Sequence, residues 1–511
     1  MSKKDVGTSW RRAWGCTSQS LALFRIVLGL LLTVELVLRF RFLEPFYSET
    51  GTLPLSLLLS KVDDLYKVVC FLHCHAAALW QQQVLLSLQV GLAVLFTLGV
   101  QTRITSALSW YLYLSLTLRN TWMNYILDRY FHHLLFLAMF LPLDRGWCWK
   151  RQPSGEASSG LVISPATIAF KLLVVWIYAD AGGGKLMDPL KGWSYYADPL
   201  PALDTYARHT LLAQYFYALV GPTGLRLLTP IVVYVELLTP PLALLGGYLG
   251  IKGVIYSAVG LIWALHLGIA AMLRNAALLS FVACSAWFVF LPIGWERVDE
   301  TFWARSTSNG FPRRFSAGDA LALLLIGSMV AGNFWLETIS RECDQSVKHI
   351  WSTLLHNRWN VFVGAEEYVT WEIAPGLLQD GSVVDVWGRR DVVQWDLPGT
   401  GAPCTATARP GRWRSFPYLA GLEGEDAEAL WSYLCREWDR ENHVDLNTGR
   451  KLVRYNFFML QADVLPNMSF SPTRKRLIQE YECIRSASTD EDEDGSKPAN
   501  AAGIDTTGEE L

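Results

Sequence analysis

The chain has 511 residues, of which 51% are hydrophobic, and its mean hydropathy is +0.21. Only 18% of the residues are charged, compared with roughly 25% in ordinary soluble domains. The net charge of −3 provides no basic surface for nucleic acid. These values argue against a soluble domain and against a nucleic-acid-binding protein, and they predict an α-helical multi-pass membrane protein.

Nine apolar stretches come close to the roughly 20 residues that a membrane-spanning helix needs. In chain order they are residues 21–40, 84–98, 104–118, 130–143, 161–181, 227–249, 254–273, 276–291 and 317–336. The second, third and fourth are short, so the prediction is about nine transmembrane helices, give or take one. The first follows a basic N-terminus, as a signal peptide would, but it is too long for one and contains Arg25 and Glu35. We therefore expect a retained helix.

Composition divides the chain into four parts. We assign residues 1–19 to the N-terminus, 20–338 to the transmembrane domain, 339–484 to a C-terminal extramembrane domain of mixed α/β structure, and 485–511 to a disordered acidic tail. Basic residues cluster in the N-terminus and in the loops after the fourth and eighth helices. With nine spans these clusters share one side, which we take as cytoplasmic, so the C-terminal domain is expected on the lumenal side.

The C-terminal domain has local patterns of its own. Asp380-Gly381 between apolar runs predicts a β-hairpin within residues 377–387, whereas residues 427–438 and 474–483 are typical of short helices. The sequon Asn467-Met468-Ser469 predicts a glycoprotein. Six cysteines fall on the same predicted side, namely Cys70, Cys74, Cys343, Cys404, Cys435 and Cys483. An even number is compatible with disulfides in an oxidising lumen.

Ionisable residues inside a membrane are costly, so each of them is a functional hypothesis. Those within or at the ends of the apolar stretches include Arg25, Glu35, Asp128, His132, His133, Lys171, Glu236 and His266. The alternative is that they pair with one another and hold the helices together. The two adjacent histidines are a weak metal signal, because neighbouring helical side chains point about 100° apart. The triplet His73-Cys74-His75 is similarly weak, and no metal is expected.

The segment Val174–Tyr196 (VVWIYADAGGGKLMDPLKGWSYY) is the most informative part of the sequence. We expect the glycines 182–184 to end a spanning helix beside a cavity, since irregular backbone at membrane depth is tolerated only there. Lys185 would then be partly desolvated, which favours a neutral amine that can act as a base. The alternative is a lysine that reaches to the membrane interface, with the glycines as a helix C-cap.

Several stretches resemble vitamin K-dependent γ-glutamyl carboxylases and the wider HTTM (horizontally transferred transmembrane) family. SLALFRIVLGLLLTVEL resembles the opening helix, and ADAGGGKLMDPLKGWSYY resembles the segment with the catalytic lysine. YVELLTPPLALL and ALHLGIAAML resemble helices with an acidic residue and a membrane histidine, and NRWNVFVGAEEYVTWEIAPGLLQDGSVVDVW resembles the Trp-rich stretch after the last helix. The resemblance extends over residues 10–460 and lies in the shared order of these stretches.

The resemblance implies a lyase of the endoplasmic reticulum or another endomembrane. Such an enzyme oxidises vitamin K hydroquinone, or a related quinone cofactor, with O2 and carboxylates protein glutamate; its other partner is membrane lipid. Lys185 would be the catalytic base, and the cofactor-binding residues would be Glu236, His266, Asp128 and Trp193. The carboxylases also tie their first loop to a later segment. We therefore expect a disulfide from Cys70 or Cys74 to a cysteine of the C-terminal domain.

The sequence also departs from the carboxylases. Their Asn-His-Ser-Tyr stretch is replaced by LDRYFHH, with Asp128 or Arg129 at the place of the histidine, and their longer lumenal region is expected to be absent. Two alternatives therefore stay open: an HTTM-family quinone- or lipid-binding protein without catalysis, and a membrane scaffold. A titratable amine in a quinone-sized cavity would favour the enzyme, and a cavity filled by side chains would favour the scaffold.

Overall fold

The computed structural model describes residues 3–149, 161–273, 275–295, 357–359, 361–397, 409, 411–444 and 448–484, with three isolated positions at 320, 324 and 327. The described part is mostly helical and ends in a sheet. Its helices are α1 Lys3–Trp14, α2 Ser18–Arg39, α3 Leu43–Tyr47, α4 Leu55–Lys61, α5 Asp64–Val69, α6 Leu79–Leu98, α7 Thr102–Arg119, α8 Ile126–Ala138, α9 Pro165–Met187, α10 Ala202–Tyr206, α11 Leu211–Leu249, α12 Lys252–Met272, α13 Ala277–Ala286 and α14 Gly424–Glu441.

Five segments of this set are long and apolar enough to cross a membrane: Ser18–Tyr47, which joins α2 and α3, and the helices α6, α9, α11 and α12. They are compatible with an integral membrane protein. The count of nine spans is not confirmed. Helices α8 and α13 have 13 and 10 residues, and six of the 18 residues of α7 are Ser or Thr. The ninth predicted stretch, residues 317–336, lies almost entirely outside the described residues.

Helix α11 consists of two helices joined at a kink. Gly221 has φ 75° and ψ 168°, a conformation that glycine adopts without a Cβ clash, and Pro222 follows it. The first part of α11 therefore turns away from the second. The second part contains Glu236 and packs against α9 and α12. The apolar stretch predicted at 227–249 matches this second part.

The C-terminal region forms an antiparallel sheet around one long strand. In addition to the short pair β1 Cys16–Thr17 and β2 Leu161–Val162, the strands are β3 Tyr368–Ile373, β4 Pro375–Leu378, β5 Val383–Asp385, β6 Leu452–Leu465, β7 Ser469–Phe470 and β8 Arg474–Glu482. Strand β6 pairs with β3, β4, β7 and β8, and β5 pairs with β4. Helix α14 packs against the sheet, where the Tyr455 hydroxyl donates to the Trp431 carbonyl at 2.7 Å.

Two of the three local predictions for this domain are confirmed. Strands β4 and β5 form the hairpin around Asp380-Gly381, and α14 covers the predicted helix 427–438. The helix predicted at 474–483 is wrong, because this segment is strand β8. Eight positions of β8 pair with β6, and this tertiary pairing outweighs the local helix preference of a stretch that contains Arg, Lys, Leu, Gln and Glu.

The disulfides differ from the expected link between the first loop and the C-terminal domain. Cys70 pairs with Cys74, and Cys435 pairs with Cys483. The expected link is therefore wrong. Cys70 follows α5 directly, and Cys74 lies one turn further along the chain, so a partner is already within reach. The second disulfide joins α14 to the residue that follows β8, while Cys343 and Cys404 lie outside the described residues.

Non-reducing peptide mapping should recover these two local links. Loop closure predicts about 4 kcal/mol for the 48-residue span of Cys435–Cys483 and about 2 kcal/mol for the four-residue span of Cys70–Cys74. Cys435→Ser should therefore lower the unfolding midpoint more than Cys70→Ser does. A recovered peptide pair that joins Cys70 or Cys74 to the C-terminal domain would contradict this pairing.

Asn467 is expected to carry an N-linked glycan if the C-terminal domain is lumenal. It lies exposed in the turn between β6 and β7, with φ 58°, and Ser469 of the sequon is exposed as well. The expected result is a mobility shift that an endoglycosidase removes and that Asn467→Gln abolishes. Absence of a shift, together with protease access from the cytoplasmic side, would reverse the predicted orientation.

Candidate functional site

Lys185 lies in the last turn of α9, and the glycines before it do not end the helix as expected. The helix continues through Gly182, Gly183 and Gly184 to Met187. A Cβ on Gly182 would lie 2.8 Å from Leu237 Cγ, so this glycine lets α9 approach α11 closely. Close approach of two backbones is a second role of glycine in membrane helices. It brings Lys185 within reach of Glu236 on α11.

The Lys185 ammonium is enclosed by oxygen atoms and an aromatic ring. Its Nζ lies 3.0 Å from Glu236 Oε2 and 3.1 Å from Oε1. It also donates to the carbonyls of Ala181 at 3.4 Å and Val361 at 3.2 Å, and it lies 5.3 Å from the centre of the Trp193 ring. Both charged side chains are buried, with 3% and 8% of their side-chain surface exposed. A buried ion pair is stable only when its remaining hydrogen bonds are satisfied, as the ammonium here is.

Lys185 and Glu236 form part of the wall of a cavity inside the helix bundle. The cavity has a volume of about 60 Å³. Its lining is mainly apolar and comes from α8, α9, α11, α12, α13 and residues 359, 361 and 362. An apolar lining with a few polar groups is typical of small-molecule sites, but this volume is well below their usual range of about 300–1,000 Å³.

The segment before β3 closes one side of this cavity, and its backbone is held by side chains of α9 and by Trp193, which follows α9 in the chain. The Trp359 amide donates to the Asp180 carboxylate, and the Val361 carbonyl accepts from Lys185. The Phe362 carbonyl accepts from Trp193 Nε1 at 2.7 Å. The cavity therefore depends on chain segments nearly 180 residues apart.

The cavity has a second polar group around His266, and its other members, Tyr178 and Ser280, were not anticipated from the sequence. The Tyr178 hydroxyl lies 2.6 Å from His266 Nε2, and both side chains line the cavity. Ser280 also lines it, is 1% exposed, and its hydroxyl has no hydrogen-bond partner among the described residues. An unsatisfied buried hydroxyl costs about 1–3 kcal/mol. Tyr178 could have been found from its spacing of seven residues before Lys185, which places both on one helix face.

The sequence-predicted site residues separate into two groups. Lys185, Glu236 and His266 line the cavity, and the side chains of the last two are buried in the helix bundle. Trp193 contacts Lys185 through its ring. Asp128 is not among the cavity residues, although Ile126 and Tyr130 of the same helix are. The roles of all five as catalytic or cofactor-binding residues stay predictions.

Asp128 belongs to a separate buried charge network. Its carboxylate accepts from Arg39 at 2.6 Å and from Arg412 at 2.9 Å, and the Tyr113 hydroxyl donates to it at 2.7 Å. Glu35 accepts from the same two arginines, each at 2.6 Å. Two carboxylates and two guanidinium groups therefore share one site. Arg412 comes from the C-terminal region, so the network joins that region to the helix bundle.

The remaining ionisable residues of the helices have structural contacts. Arg25 donates to the carbonyls of Leu143, Gly146 and Trp147, and Lys171 donates to the carbonyls of Ala13 and Gly15. These five carbonyls belong to chain segments next to α2 and α9. The alternative that such residues hold the bundle together therefore describes both of them.

The histidines named as weak metal candidates have partners of other kinds. His132 contacts Thr117, and His133 contacts the Arg129 carbonyl. In the first loop, His73 lies between Gln82 and Gln89, at 2.6 and 2.7 Å. Burial lowers the pKa of His73 to about 4, so it is neutral at pH 7. His73 is therefore a satisfied core histidine, whereas His132 Nδ1 and His133 Nε2 are buried without a hydrogen-bond partner among the described residues.

Comparison with protein-family models, with curated proteins and with solved structures finds no match for this chain. The site is therefore interpreted from its own geometry.

Proposed function

We propose that this chain is a vitamin K-dependent carboxylase-like membrane enzyme in which the Lys185–Glu236 pair accepts a proton from a lipophilic hydroquinone substrate. The observation that carries the proposal is the buried ion pair in the wall of a mainly apolar cavity within the helix bundle. Burying two charged side chains among apolar helices costs free energy, and a ligand-binding or proton-transfer role would account for that cost. The resemblance to the carboxylases also implies that Lys185 is the catalytic lysine.

The Lys185–Glu236 pair can take up the substrate proton because the pair has no net charge before the transfer. Lys185 and Glu236 share one proton and are neutral as a unit, either as ammonium and carboxylate or as amine and carboxylic acid. When the substrate O–H bond breaks, its proton joins the pair, which becomes an ammonium and a carboxylic acid with a net charge of +1. The new substrate anion lies beside this charge, and the attraction is stronger in an apolar cavity than in water.

The overall reaction proposed from the resemblance is a carboxylation. One hydroquinone, one O2, one CO2 and one glutamate side chain are consumed, and one quinone epoxide, one water, one γ-carboxyglutamate with its new carboxylate and one proton are formed. O2 is the oxidant and the hydroquinone is the reductant. The glutamyl γ-carbon loses a proton and forms a new C–C bond to CO2. Both partner substrates, the quinol and the protein glutamate, are part of the proposal.

A second candidate function rests on how completely Lys185 is bonded. Glu236 and the carbonyls of Ala181 and Val361 accept from its ammonium, as in a purely structural ion pair. Such a pair would support a quinone- or lipid-binding protein without catalysis. The scaffold alternative predicted a cavity filled by side chains, and it stays open because the cavity has a volume of only about 60 Å³.

Mass spectrometry of γ-carboxyglutamate in cells with and without this protein tests the carboxylation. O2 uptake by the purified full chain, supplied with 2-methyl-1,4-naphthohydroquinone in detergent, tests the oxidation separately. The enzyme proposal expects both signals to depend on the protein. Binding of the naphthoquinone without O2 uptake, and without a difference in γ-carboxyglutamate, would overturn it in favour of the non-catalytic binder.

A further inference from the structure

The first part of α11, residues 211–220, is separated from the second part by the kink at Gly221. The second part, residues 222–249, amounts to about 42 Å of helix, and the hydrocarbon core of a membrane is only about 30 Å thick. The second part is therefore long enough to cross a membrane by itself. The first part is not needed to complete this span, so its own contacts decide where it lies.

A contact with α12 places the start of the first part at one boundary of the membrane. Helix α12 has 21 residues, or about 32 Å, so it just crosses the hydrocarbon core and its end at Met272 lies at the boundary. Thr210, which caps the first part of α11, donates its hydroxyl to the Ala271 carbonyl at 2.7 Å. The first part of α11 therefore begins at this boundary.

The end of the first part lies outside the same boundary. Helices α11 and α12 run antiparallel, and a Cβ on Gly246 would lie 3.1 Å from Val254 Cβ, so these two residues are level. Thr229 lies as far before Gly246 as Ala271 lies after Val254, so Thr229 and Ala271 are level as well. Pro222 precedes Thr229 by two turns, which places it about 10 Å outside the boundary. The first part therefore stays at the boundary and does not re-enter the hydrocarbon core.

One face of the first part is apolar and exposed. The large side chains on this face are 50–84% exposed, and they are Leu211, Leu212, Tyr215 and Leu219. Their spacing places them on one side of the helix, whereas Ala213 on the opposite side is buried. Residues 210–225 contain no Lys, Arg, Asp or Glu, so no charge favours contact with water. Such a face fits the layer between lipid headgroups and acyl chains, where amphipathic helices lie flat and Tyr is enriched.

We propose that residues 211–220 form an interfacial helix that docks on one lipid leaflet, with Tyr215 and Leu219 immersed among the lipids. The leaflet is the one on the side of the C-terminal region, because His209 Nε2, directly before the cap, lies 2.6 Å from Glu366 Oε2. The partner is the apolar boundary layer of the leaflet and not its surface charge, since the helix itself has no charge. This inference does not depend on the proposed function and holds equally for an enzyme, a binder or a scaffold.

Spin labels on the full chain in phosphatidylcholine vesicles measure the depth of this helix. Tyr215→Cys and Leu219→Cys each place a label on the proposed face. Leu238→Cys, at an exposed leucine in the second part of α11, is the control within lipid, and Glu425→Cys, exposed in the first turn of α14, is the control in water. O2 concentrates in lipid and a nickel chelate stays in water, so the ratio of their effects on each label reports its depth. The unsubstituted chain, labelled in the same way, gives the signal of the native cysteines, which is subtracted.

The labels at Tyr215 and Leu219 should give a ratio about fivefold above that of the Glu425 label and below that of the Leu238 label, because an interfacial helix is immersed by only about 5–10 Å. The ratio should not change when part of the phosphatidylcholine is replaced by phosphatidylserine. A ratio equal to that of the Glu425 label would place the helix in water, and one equal to that of the Leu238 label would place it in the hydrocarbon core. Either result would overturn the proposal. So would a dependence on phosphatidylserine, or spin–spin broadening at Leu219, which would show that a second copy of the chain covers this face.

Discussion

Removing the Lys185 amine is expected to reduce O2-dependent oxidation of the naphthohydroquinone by at least about a hundredfold, the usual scale for loss of a general base. Lys185→Ala alone would leave the Glu236 carboxylate buried without its ion-pair partner. This is costly, and it would destabilise the chain or force the carboxylate to take up a proton. The informative variant is therefore Lys185→Ala combined with Glu236→Gln, which removes both charges together.

The control for this change is Lys191→Ala, at an exposed position six residues further along the chain. Turnover should be unchanged in the control and lost in the double variant, while both unfold at midpoints close to that of the wild-type chain. Normal turnover by a folded double variant would exclude Lys185 as the base. Loss of turnover together with retained binding of 1,4-dihydroxynaphthalene would assign the pair to proton transfer rather than to binding.

Arg412→Met is expected to destabilise the chain by about 3–5 kcal/mol, the usual range when one partner of a buried ion-pair network is removed. The change leaves Glu35 and Asp128 with Arg39 alone, so one buried negative charge has no compensation. Because Arg412 links the C-terminal region to the helix bundle, the contact between them should loosen as well. Thermal unfolding in detergent and limited proteolysis of the full chain measure the two effects.

Arg414→Met is the matched control, because this arginine lies two residues away and is exposed. It should change the unfolding free energy by less than about 0.5 kcal/mol. Adding Asp128→Asn to Arg412→Met restores charge balance around the Glu35–Arg39 pair and should recover part of the loss, as a double-mutant cycle would detect. Equal midpoints for Arg412→Met and Arg414→Met would show that the network contributes nothing to stability.

The sequence by itself determined the features that depend on short-range pattern. Long apolar runs predict spanning helices because a helix must present apolar side chains to lipid, and α2, α6, α9, α11 and α12 follow them. Asp380-Gly381 predicted its hairpin because few residues adopt that turn. Lys185, Glu236 and His266 were found because ionisable groups are rare in apolar surroundings.

Only the tertiary structure decided which of these residues meet. Asp128 lies two residues from each of the cavity residues Ile126 and Tyr130 of α8, and its carboxylate contacts Arg39 and Arg412 instead of the cavity. The second of these arginines is 284 residues away in the chain, and no local pattern indicates such a partner. Cys70, by contrast, pairs with a residue of its own loop, because Cys74 lies only four residues away and within reach.

The glycines before Lys185 show the same division between local pattern and long-range packing. Their local tendency is to end a helix, but α9 continues because Gly182 allows α11 to pack at its surface and Glu236 to reach Lys185. Tyr178 and Ser280 are unremarkable in sequence, since one resembles a core aromatic and the other a small helical residue. They line one cavity because α9, α12 and α13 converge there, and the convergence depends on long-range packing rather than on local sequence.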